Sequence, residues 1–235
     1  MRQRRLKNLD EKMEEMRQIL PDNFIDNELM ESGQLQGKWA QSFKEAGKPL
    51  FLEIGCGKGK FIVESAQKHP ENNYLAIEGQ ASVLHYALRK IKDKPLANLK
   101  FISKYLLQDQ LLSFFAKEEL DGIYLNFSDP WPKARHAKRR LTYHKNLLIY
   151  RELIKKGGFI QFKSDNDGLF DFTLEELKLI EEEFAKDGKE NPFEILKVER
   201  DLHNSELAVD NIMTEYETKF SERGKNINYL LVKIR

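Results

Sequence analysis

Three glycines near residue 55 are spaced so that the backbone can approach a ligand closely. Gly55, Gly57 and Gly59 end the run LEIGCGKG, and glycine adopts the left-handed backbone conformations that such turns use. A turn of this kind between a strand and a helix places a ligand at the helix N-terminus, in the crevice beyond the strand ends. A dinucleotide-binding fingerprint has its third glycine at position 60. That position is Lys60, so the spacing argues against a nicotinamide or flavin cofactor.

Two acidic residues accompany the glycine turn. Glu53 lies just before it, where a carboxylate would repel a pyrophosphate but suits a cation such as the amino group of a methionine moiety. Glu78 ends the next predicted strand, 19 residues after Gly59, where a carboxylate can accept hydrogen bonds from both hydroxyls of a ribose. The set predicts a nucleoside cofactor that carries a cationic group. The alternative is a purely structural turn.

A proline-rich turn, NFSDPWPK, occupies residues 126–133 at the end of the fourth predicted strand. Its two prolines fix the backbone and prevent a regular helix, so we expect Asp129 in a stiff loop at the carboxyl edge of the sheet. Trp131 offers a flat apolar face beside it. Because rigid loops on a scaffold often carry function, we interpret Asp129 as a site residue. An aspartate that merely begins a turn is the alternative.

The segment that follows this turn is strongly basic. Residues 130–151 contain seven lysines or arginines and no acidic residue, in a chain whose formal net charge is only +1. A solvated helix face usually mixes both signs of charge, so this segregation favours a footprint for a phosphate backbone. Charge alone does not distinguish RNA from DNA.

Two further polar clusters have both a structural and a functional interpretation. Asp165 follows the fifth predicted strand at the same sheet edge, where it could belong to a site or cap the next helix. Thr214 and Glu217 have the spacing of a capping box, in which each side chain bonds the backbone of the other residue. The residues alone leave both cases open.

The elements that would position these residues alternate between strand and helix. Candidate strands are 50–54, 74–77, 99–102, 122–127, 159–162, 193–198 and 228–234, and candidate helices are 58–68, 82–91, 109–115, 143–155, 169–185 and 213–222. This order predicts a Rossmann-like α/β fold: a seven-stranded, mostly parallel sheet with helices on both faces and an antiparallel edge strand. Residues 1–47 are predicted as a basic, partly helical N-terminal arm and residues 48–235 as the main domain.

The composition fits one α/β domain in a reducing compartment. The chain has 235 residues, of which 40% are hydrophobic, enough for one large core. Its single cysteine, Cys56, excludes an intrachain disulfide and argues against a cysteine-based zinc site. No apolar run approaches the roughly 18–20 residues of a membrane span. We therefore expect a cytoplasmic monomer or homodimer with no metal and no membrane partner.

Four stretches of the chain resemble the bacterial tRNA (guanine-N7-)-methyltransferases. They are residues 52–59, residues 126–142, residues 162–166 with 169–170, and residues 211–217 with 219–220, and the resemblance extends over about residues 50–235. The second stretch, NFSDPWPKARHAKRRLT, is the most specific, whereas many methyltransferases share the first. The resemblance implies a class I methyltransferase fold and transfer of a methyl group from S-adenosylmethionine to N7 of guanine 46 in the variable loop of tRNA. S-adenosylhomocysteine would be the product.

The resemblance also implies roles for individual residues. Those implied for the cofactor are Glu53, Gly55, Gly57, Gly59, Glu78, Tyr105 and Asp129, and Asp129 is in addition the implied catalytic residue. Those implied for the guanine are Lys133, Asp165, Thr214 and Glu217. The loop implied to contact RNA contains Arg135, His136, Lys138, Arg139 and Arg140.

One departure from the family bears on the adenine end of the cofactor. Tyr105 stands where the family usually has an acidic residue, so either Tyr105 stacks on the adenine or Asp109 takes that role. Two other functions remain open at this point. The chain could be an RNA-binding protein with an inactive methyltransferase core, or a methyltransferase that acts on another RNA.

Overall fold

A single eight-stranded sheet organises the computed structural model, which describes residues 6–105 and 110–235. The strands are β1 (Phe24–Ile25), β2 (Leu50–Ile54), β3 (Asn73–Glu78), β4 (Leu99–Ser103), β5 (Leu120–Asn126), β6 (Ile154–Ser164), β7 (Phe193–Glu199) and β8 (Asn228–Ile234). Their order across the sheet is β1-β4-β3-β2-β5-β6-β8-β7. All neighbouring strands from β1 to β6 are parallel, whereas β8 runs antiparallel to both β6 and β7.

The predicted fold class is confirmed, and the predicted strand count is corrected from seven to eight. The additional strand, β1, has only two residues and pairs with Phe101 and Ile102 of β4. A strand this short has no recognisable alternation of apolar and polar residues, so the sequence pattern did not reveal it. The antiparallel strand β8 lies one position inside the sheet edge, and β7 forms the edge itself.

Helices cover both faces of the sheet, as predicted. They are α1 (Leu9–Ile19), α2 (Asn27–Glu31), α3 (Lys60–Lys68), α4 (Ala81–Ile91), α5 (Leu111–Phe114), α6 (His144–Leu153), α7 (Asp167–Lys186) and α8 (Glu215–Ser221). Alternate residues of a strand point to opposite faces. Accordingly, Leu50 and Leu52 of β2 join one apolar cluster with residues of α6 and α7, and Phe51 joins a second cluster with residues of α1, α3 and α4.

The segment before residue 47 packs closely on the sheet. Met13 and Met16 of α1 are buried in the cluster that contains α4. Trp39 is fully buried on the other face, and its indole N–H donates to the carbonyl oxygen of Phe114 at 2.7 Å. The basic tip at residues 1–5 lies outside the described residues. The boundary at residue 47 stays a prediction. The segment before it contributes both a strand and core side chains to the main domain.

The topology brings the polar sequence features to one edge of the sheet. The parallel strands β2, β3, β5 and β6 end at Ile54, Glu78, Asn126 and Ser164, and their carboxyl ends point the same way. The strand order changes direction between β2 and β5, and a ligand crevice forms at such a switch point in open α/β sheets.

No helix in the described part of the chain is long and apolar enough to cross a membrane.

Candidate functional site

A cleft of about 590 Å³ opens at the carboxyl ends of the parallel strands. The glycine turn and the end of β3 form one wall, with Gly55, Glu78 and Gly79. The proline-rich turn and the basic loop form the opposite wall, with Asp129, Trp131, Lys138 and Arg139. The two sequence features with the clearest chemical signal therefore line the same cavity.

The three glycines of the turn have two different roles. Gly55 and Gly57 have left-handed φ angles of 79° and 58°, and a Cβ atom added at either would meet no atom of the described residues within 4 Å. Gly55 lines the cleft, and Gly57 adjoins it by donating its N–H to Glu78. Gly59 also has a left-handed φ, of 78°, but a Cβ there would lie 2.5 Å from the Cβ of Ala87. Gly59 thus permits close packing of α3 against α4 and lies away from the cleft.

Glu53 is enclosed behind the glycine turn with part of its hydrogen-bonding capacity unused. The side-chain amide of Asn126 donates to its Oε1 at 2.8 Å. Its Oε2 is buried and has no hydrogen-bond partner among the residues that the structure describes. Burial raises the pKa of Glu53 to about 7, against the lowering effects of Asn126 and the Lys163 charge. A buried carboxylate oxygen without a donor is rare in folded proteins, and a ligand ammonium group would supply one.

Glu78 is held by backbone amides at the opening of the cleft. Its Oε2 accepts from the N–H of Gly57 at 3.0 Å and its Oε1 accepts from the N–H of Gln80 at 2.8 Å. Burial raises the pKa of this carboxyl above its ordinary value, opposed by those backbone hydrogen bonds. Each carboxylate oxygen can accept a second hydrogen bond, so the geometry suits a pair of ribose hydroxyls.

Tyr105 lies beside Glu78 with its ring against the backbone of Gly79. A Cβ atom at Gly79 would be only 2.3 Å from Cδ2 of the Tyr105 ring, so the glycine makes room for the aromatic side chain. The Tyr105 side chain lines the cleft and is 73% exposed. It is placed to offer its ring to a planar ligand group. The alternative candidate, Asp109, lies outside the described residues.

The proline-rich turn carries two residues in strained backbone conformations. Phe127 and Trp131 have φ angles of 53° and 41°, in the left-handed region that side chains other than glycine rarely adopt. Such conformations cost about 1–3 kcal/mol each and persist where the surroundings fix them. Between them, Asp129 is exposed in the cleft and has no hydrogen bond or ion pair within residues 6–105 and 110–235. The turn thus presents a carboxylate whose acceptor positions are free.

The basic loop places most of its cations at the surface. Residues Ala134–Arg139 form a 3-10 helix that follows Lys133. Lys133, Arg135, Lys138 and Arg139 are exposed, and the Arg139 guanidinium lies 4.9 Å from the centre of the Trp131 ring. His136 meets the edge of the same indole at 5.6 Å. These positions suit contact with an extended anionic ligand.

Arg140 differs from its neighbours because two of its guanidinium nitrogens already donate hydrogen bonds within the protein. Its Nε donates to the carbonyl oxygen of Pro130 and its Nη2 to that of Trp131, both at 3.0 Å. Its guanidinium also lies 4.1 Å from the centre of the Phe172 ring on α7. The structure therefore does not present Arg140 as a free surface cation, contrary to the role that the resemblance implied.

Asp165 and Asn166 divide the two roles that the sequence left open for this stretch. The Asn166 side chain accepts from the N–H of Leu169 at 2.8 Å and so caps α7. Asp165 makes no cap; its carboxylate pairs with the ammonium group of Lys225 at 2.9 Å. Asp165 thus keeps a carboxylate whose charge is partly balanced, and it does not itself line the cleft.

Glu217 is buried inside the protein with both carboxylate oxygens engaged. Its Oε2 contacts the Lys163 ammonium at 2.9 Å, and its Oε1 contacts His203 Nε2 at 2.9 Å and accepts from the Asn211 amide at 2.6 Å. Thr214 completes a capping box with it at the start of α8. Burial opposes ionisation of Glu217, but Lys163 and these hydrogen bonds hold its pKa below the ordinary value.

Thr214 and Glu217 therefore anchor the start of α8, and neither of them lines the cleft. The partner of Glu217, Lys163, is fully buried in β6 and was not singled out from the sequence. A signal was present, since Lys163 lies at the end of an apolar strand of a sheet predicted to be covered on both faces, and a lysine buried there needs an acidic partner.

Tyr216 was also missed, although its position in α8 is informative. It is 44% exposed, stacks on Phe220 with ring centres 4.2 Å apart, and contacts Phe127 of the proline-rich turn at 5.3 Å. Aromatic residues four positions apart on a helix share one face. This spacing predicts a stacked pair, and the pair ties α8 to the turn that carries Asp129.

Comparison with known proteins gives consistent matches over most of the chain. A family model described as "Putative methyltransferase" matches residues 47–230. A tRNA (guanine-N(7)-)-methyltransferase of Enterococcus faecalis is 49% identical over 193 residues, covering 82% of this chain and 83% of that protein. One of Lactococcus lactis subsp. cremoris is 43% identical over 235 residues, covering 99% and 98%. Among solved structures, an antibiotic-related methyltransferase has a TM-score of 0.54 at 17% identity, covering 90% and 96%, and supports the fold alone.

Proposed function

The chain belongs to the tRNA (guanine-N7-)-methyltransferase family, and from that premise we propose that it transfers a methyl group from S-adenosylmethionine to N7 of guanine 46 in tRNA. One observation carries the proposal: a single cleft joins the half-buried carboxylate of Glu78, beside the glycine turn, to the free carboxylate of Asp129 and a basic rim, and the carboxylate of Glu53 is buried behind the turn. The first wall fits the cofactor and the second fits an anionic polymer. We expect the enzyme to act in the cytoplasm, where tRNA is modified.

The residues of the first wall fit the parts of S-adenosylmethionine. The unpartnered oxygen of Glu53 would accept from the ammonium group, and the free lone pairs of Glu78 would accept from the ribose hydroxyls. Gly55 and Gly57 would let the protein backbone pass close to the part of the cofactor that joins the ammonium group to the ribose. Tyr105 would stack on the adenine. When bound, the cofactor supplies an activated methyl group on a sulfonium centre, and S-adenosylhomocysteine remains after transfer.

Guanine N7 is a nucleophile that needs no general base. It carries an in-plane lone pair and no proton at neutral pH, so the protein has to orient the ring and stabilise the charge that develops on it. Asp129 is suited to this role because its carboxylate is exposed in the cleft without an internal partner. Methylation makes the guanine ring cationic, and a fixed carboxylate beside it lowers the energy of that charge.

Recognition of guanine is assigned to its hydrogen-bond donors. N1–H and the N2 amino group are donors on one edge of the ring, and adenine lacks this arrangement. Asp165 lies at the end of β6 with its carboxylate partly balanced by Lys225, and it would accept from these donors. Lys133, which is exposed at the end of the turn, would contact the guanine nucleotide. Glu217 would act through α8, whose position it fixes.

The basic rim would hold the tRNA backbone while the base enters the cleft. Lys138 and Arg139 line the cleft, and Arg135 and His136 continue the same exposed surface. Removing a guanine from its stacked position costs a few kcal/mol, which phosphate contacts and stacking in the cleft would offset.

The experiment that tests this function uses an unmodified tRNA transcript with methyl-labelled S-adenosylmethionine. Borohydride reduction and aniline treatment cleave RNA at 7-methylguanosine. We expect label in the transcript and a single cleavage in the variable loop. The Asp129→Asn variant, which keeps the side-chain shape and removes its charge, is the matched control and should give far less of both in the same time. Label without cleavage would assign the methyl group to another atom and overturn the proposal.

A further inference from the structure

Arg139 and Arg140 are adjacent in the most basic part of the chain, yet their side chains have opposite surroundings. Arg139 is exposed, and its guanidinium lies 4.9 Å from the centre of the Trp131 ring. Arg140 is half-buried and uses two guanidinium nitrogens as hydrogen-bond donors to backbone oxygens of the proline-rich turn. Sequence gives no reason to separate them, because both belong to the same run of positive charge.

The two carbonyl groups that Arg140 binds belong to the most constrained part of the turn. Pro130 and Trp131 directly follow Asp129, and Trp131 holds a φ of 41° although a proline comes next. A residue before proline normally adopts an extended conformation, so this backbone needs an external restraint. The planar guanidinium meets both carbonyl oxygens at 3.0 Å, and it thereby fixes the orientation of the two peptide groups after Asp129.

Arg140 is itself anchored from the other side of the loop. Its guanidinium packs 4.1 Å from the centre of the Phe172 ring on α7. Its own carbonyl oxygen accepts from the side-chain amide of Asn146 on α6 at 2.8 Å, and Asn146 is buried. The turn is therefore connected through one residue to two helices that pack on the sheet: through the Arg140 side chain to α7 and through its main-chain carbonyl to α6.

We propose that Arg140 is a positioning residue that fixes the turn bearing Asp129, and that phosphate contact in this pair of arginines belongs to Arg139. The inference rests on the proposed function, because it takes Asp129 as the carboxylate beside the reacting guanine. Loss of Arg140 leaves the carboxylate present but free to shift relative to the cleft. Displacements of about 1 Å at a reacting centre can reduce rates about 100-fold.

Substitutions of the two arginines should therefore change different measured quantities. Arg140→Ala is expected to lower kcat at saturating tRNA by about 100-fold, with the salt dependence of tRNA binding unchanged. Arg139→Ala is expected to weaken tRNA binding severalfold and to reduce the slope of log Kd against log salt by about one, because one phosphate contact is lost. A residue that only stabilised the fold would change neither the salt slope nor kcat selectively.

Arg140→Lys keeps the positive charge and removes the planar pair of donors, so it separates the two roles even where the alanine variant folds poorly. We expect Arg140→Lys to retain the wild-type salt slope and to lose most of kcat, whereas Arg139→Lys should keep both tRNA affinity and salt slope close to wild type. Melting temperature and S-adenosylhomocysteine affinity are measured for all four variants.

The inference is overturned if Arg140→Lys retains full kcat, or if Arg140→Ala loses one unit of salt slope while kcat at saturation is kept. Failure of this inference is distinguishable from failure of the proposed function. If only the inference fails, the wild-type enzyme and Arg140→Lys both produce 7-methylguanosine in the cleavage assay. If the proposed function fails, the transcript stays uncleaved even with the wild-type enzyme.

Discussion

Glu217 and Asp129 are both carboxylates close to the crevice, but one is fully enclosed and the other is open to solvent. Glu217 belongs to an interior cluster with Lys163 and Glu53, in which Lys163 pairs with Glu217 and one oxygen of Glu53 has no partner among the described residues. Asp129 belongs to a cleft rim with Lys138 and Arg139, where the cations and the carboxylate have few internal contacts. The interior cluster thus gives the site its shape, and the rim keeps charges available for the substrate. Substitutions in the two regions should accordingly change different properties.

The largest effect is expected from breaking the buried pair. Glu217→Ala should lower the free energy of unfolding by about 3–5 kcal/mol, because the Lys163 ammonium is left buried without its counter-charge. Chemical denaturation measures this difference. Asp187→Ala is the matched control: it removes an equally short pair, 2.9 Å from Lys189, at the surface. The control should unfold almost as the wild type does. Equal midpoints for both variants would show that the interior cluster does not hold the site together.

Asp129 should show the opposite behaviour. Asp129→Ala is expected to lower kcat by about 100- to 1,000-fold, because a preorganised charge at the reacting ring is lost. Its melting temperature and tRNA affinity should stay near those of the wild type, since the side chain has no bonded partner in the described structure. Asp93→Ala, which removes an exposed carboxylate after α4, is the control for net charge. Near-normal turnover by Asp129→Ala would contradict the role of the rim.

Glu53 gives the interior cluster a pH dependence. Its pKa of about 7 means that the carboxyl is mostly neutral at pH 6 and mostly ionised at pH 8. Binding of an ammonium group requires the ionised form, so affinity for S-adenosylhomocysteine should rise about tenfold between these pH values. In Glu53→Gln this rise should be absent. Calorimetry at pH 6, 7 and 8 makes the comparison, and a wild-type affinity that does not depend on pH would contradict it.

Glu53 also affects the stability of the ligand-free protein, and this effect has the opposite dependence on pH. The unfolded chain releases this proton near pH 4.5, whereas the folded protein keeps it up to about pH 7. The folded state therefore binds the proton more tightly within that window, and the Glu53 contribution to stability falls as pH rises from 4.5 to 7 and is level above. Glu53→Gln should gain stability relative to the wild type at pH 8 and much less at pH 4.5.

The smallest effect is expected at Tyr105, the exposed aromatic residue of the cofactor wall. Tyr105→Ala should weaken S-adenosylhomocysteine binding about three- to tenfold through loss of ring stacking. Tyr105→Phe keeps the ring and should bind as the wild type does. If the phenylalanine variant loses as much affinity as the alanine variant, the hydroxyl group and not the ring makes the contact.

Sequence reasoning predicted the elements that depend on local pattern. The strands at Leu50–Ile54 and Asn228–Ile234 have the predicted bounds, and the glycine turn follows the first of them. The two-residue strand Phe24–Ile25 was missed because only tertiary contact with β4 defines it. The capping box of Thr214 and Glu217 was recognised as a pattern, but its burial follows from the distant Lys163, which no local signal connects to it.

Within the site, the sequence identified which residue types gather at the sheet edge but not which remain free. Gly59 shares the spacing of Gly55 and Gly57, and it differs because Ala87 of α4 packs against it. Arg140 shares the charge of Arg139, and it differs because two carbonyl groups ten and nine residues earlier lie within hydrogen-bond distance. In both cases the deciding contact is with a residue far enough along the chain that composition and spacing carry no information about it.

The most direct test of the central claim replaces the target atom in the substrate. A tRNA transcript with 7-deazaguanine at position 46 keeps the shape and the N1–H and N2 donors of guanine but has no N7 lone pair. With methyl-labelled S-adenosylmethionine, we predict that the enzyme labels the guanine transcript, binds the deaza transcript with similar affinity, and transfers no methyl group to it. Equal labelling of both transcripts would contradict the account.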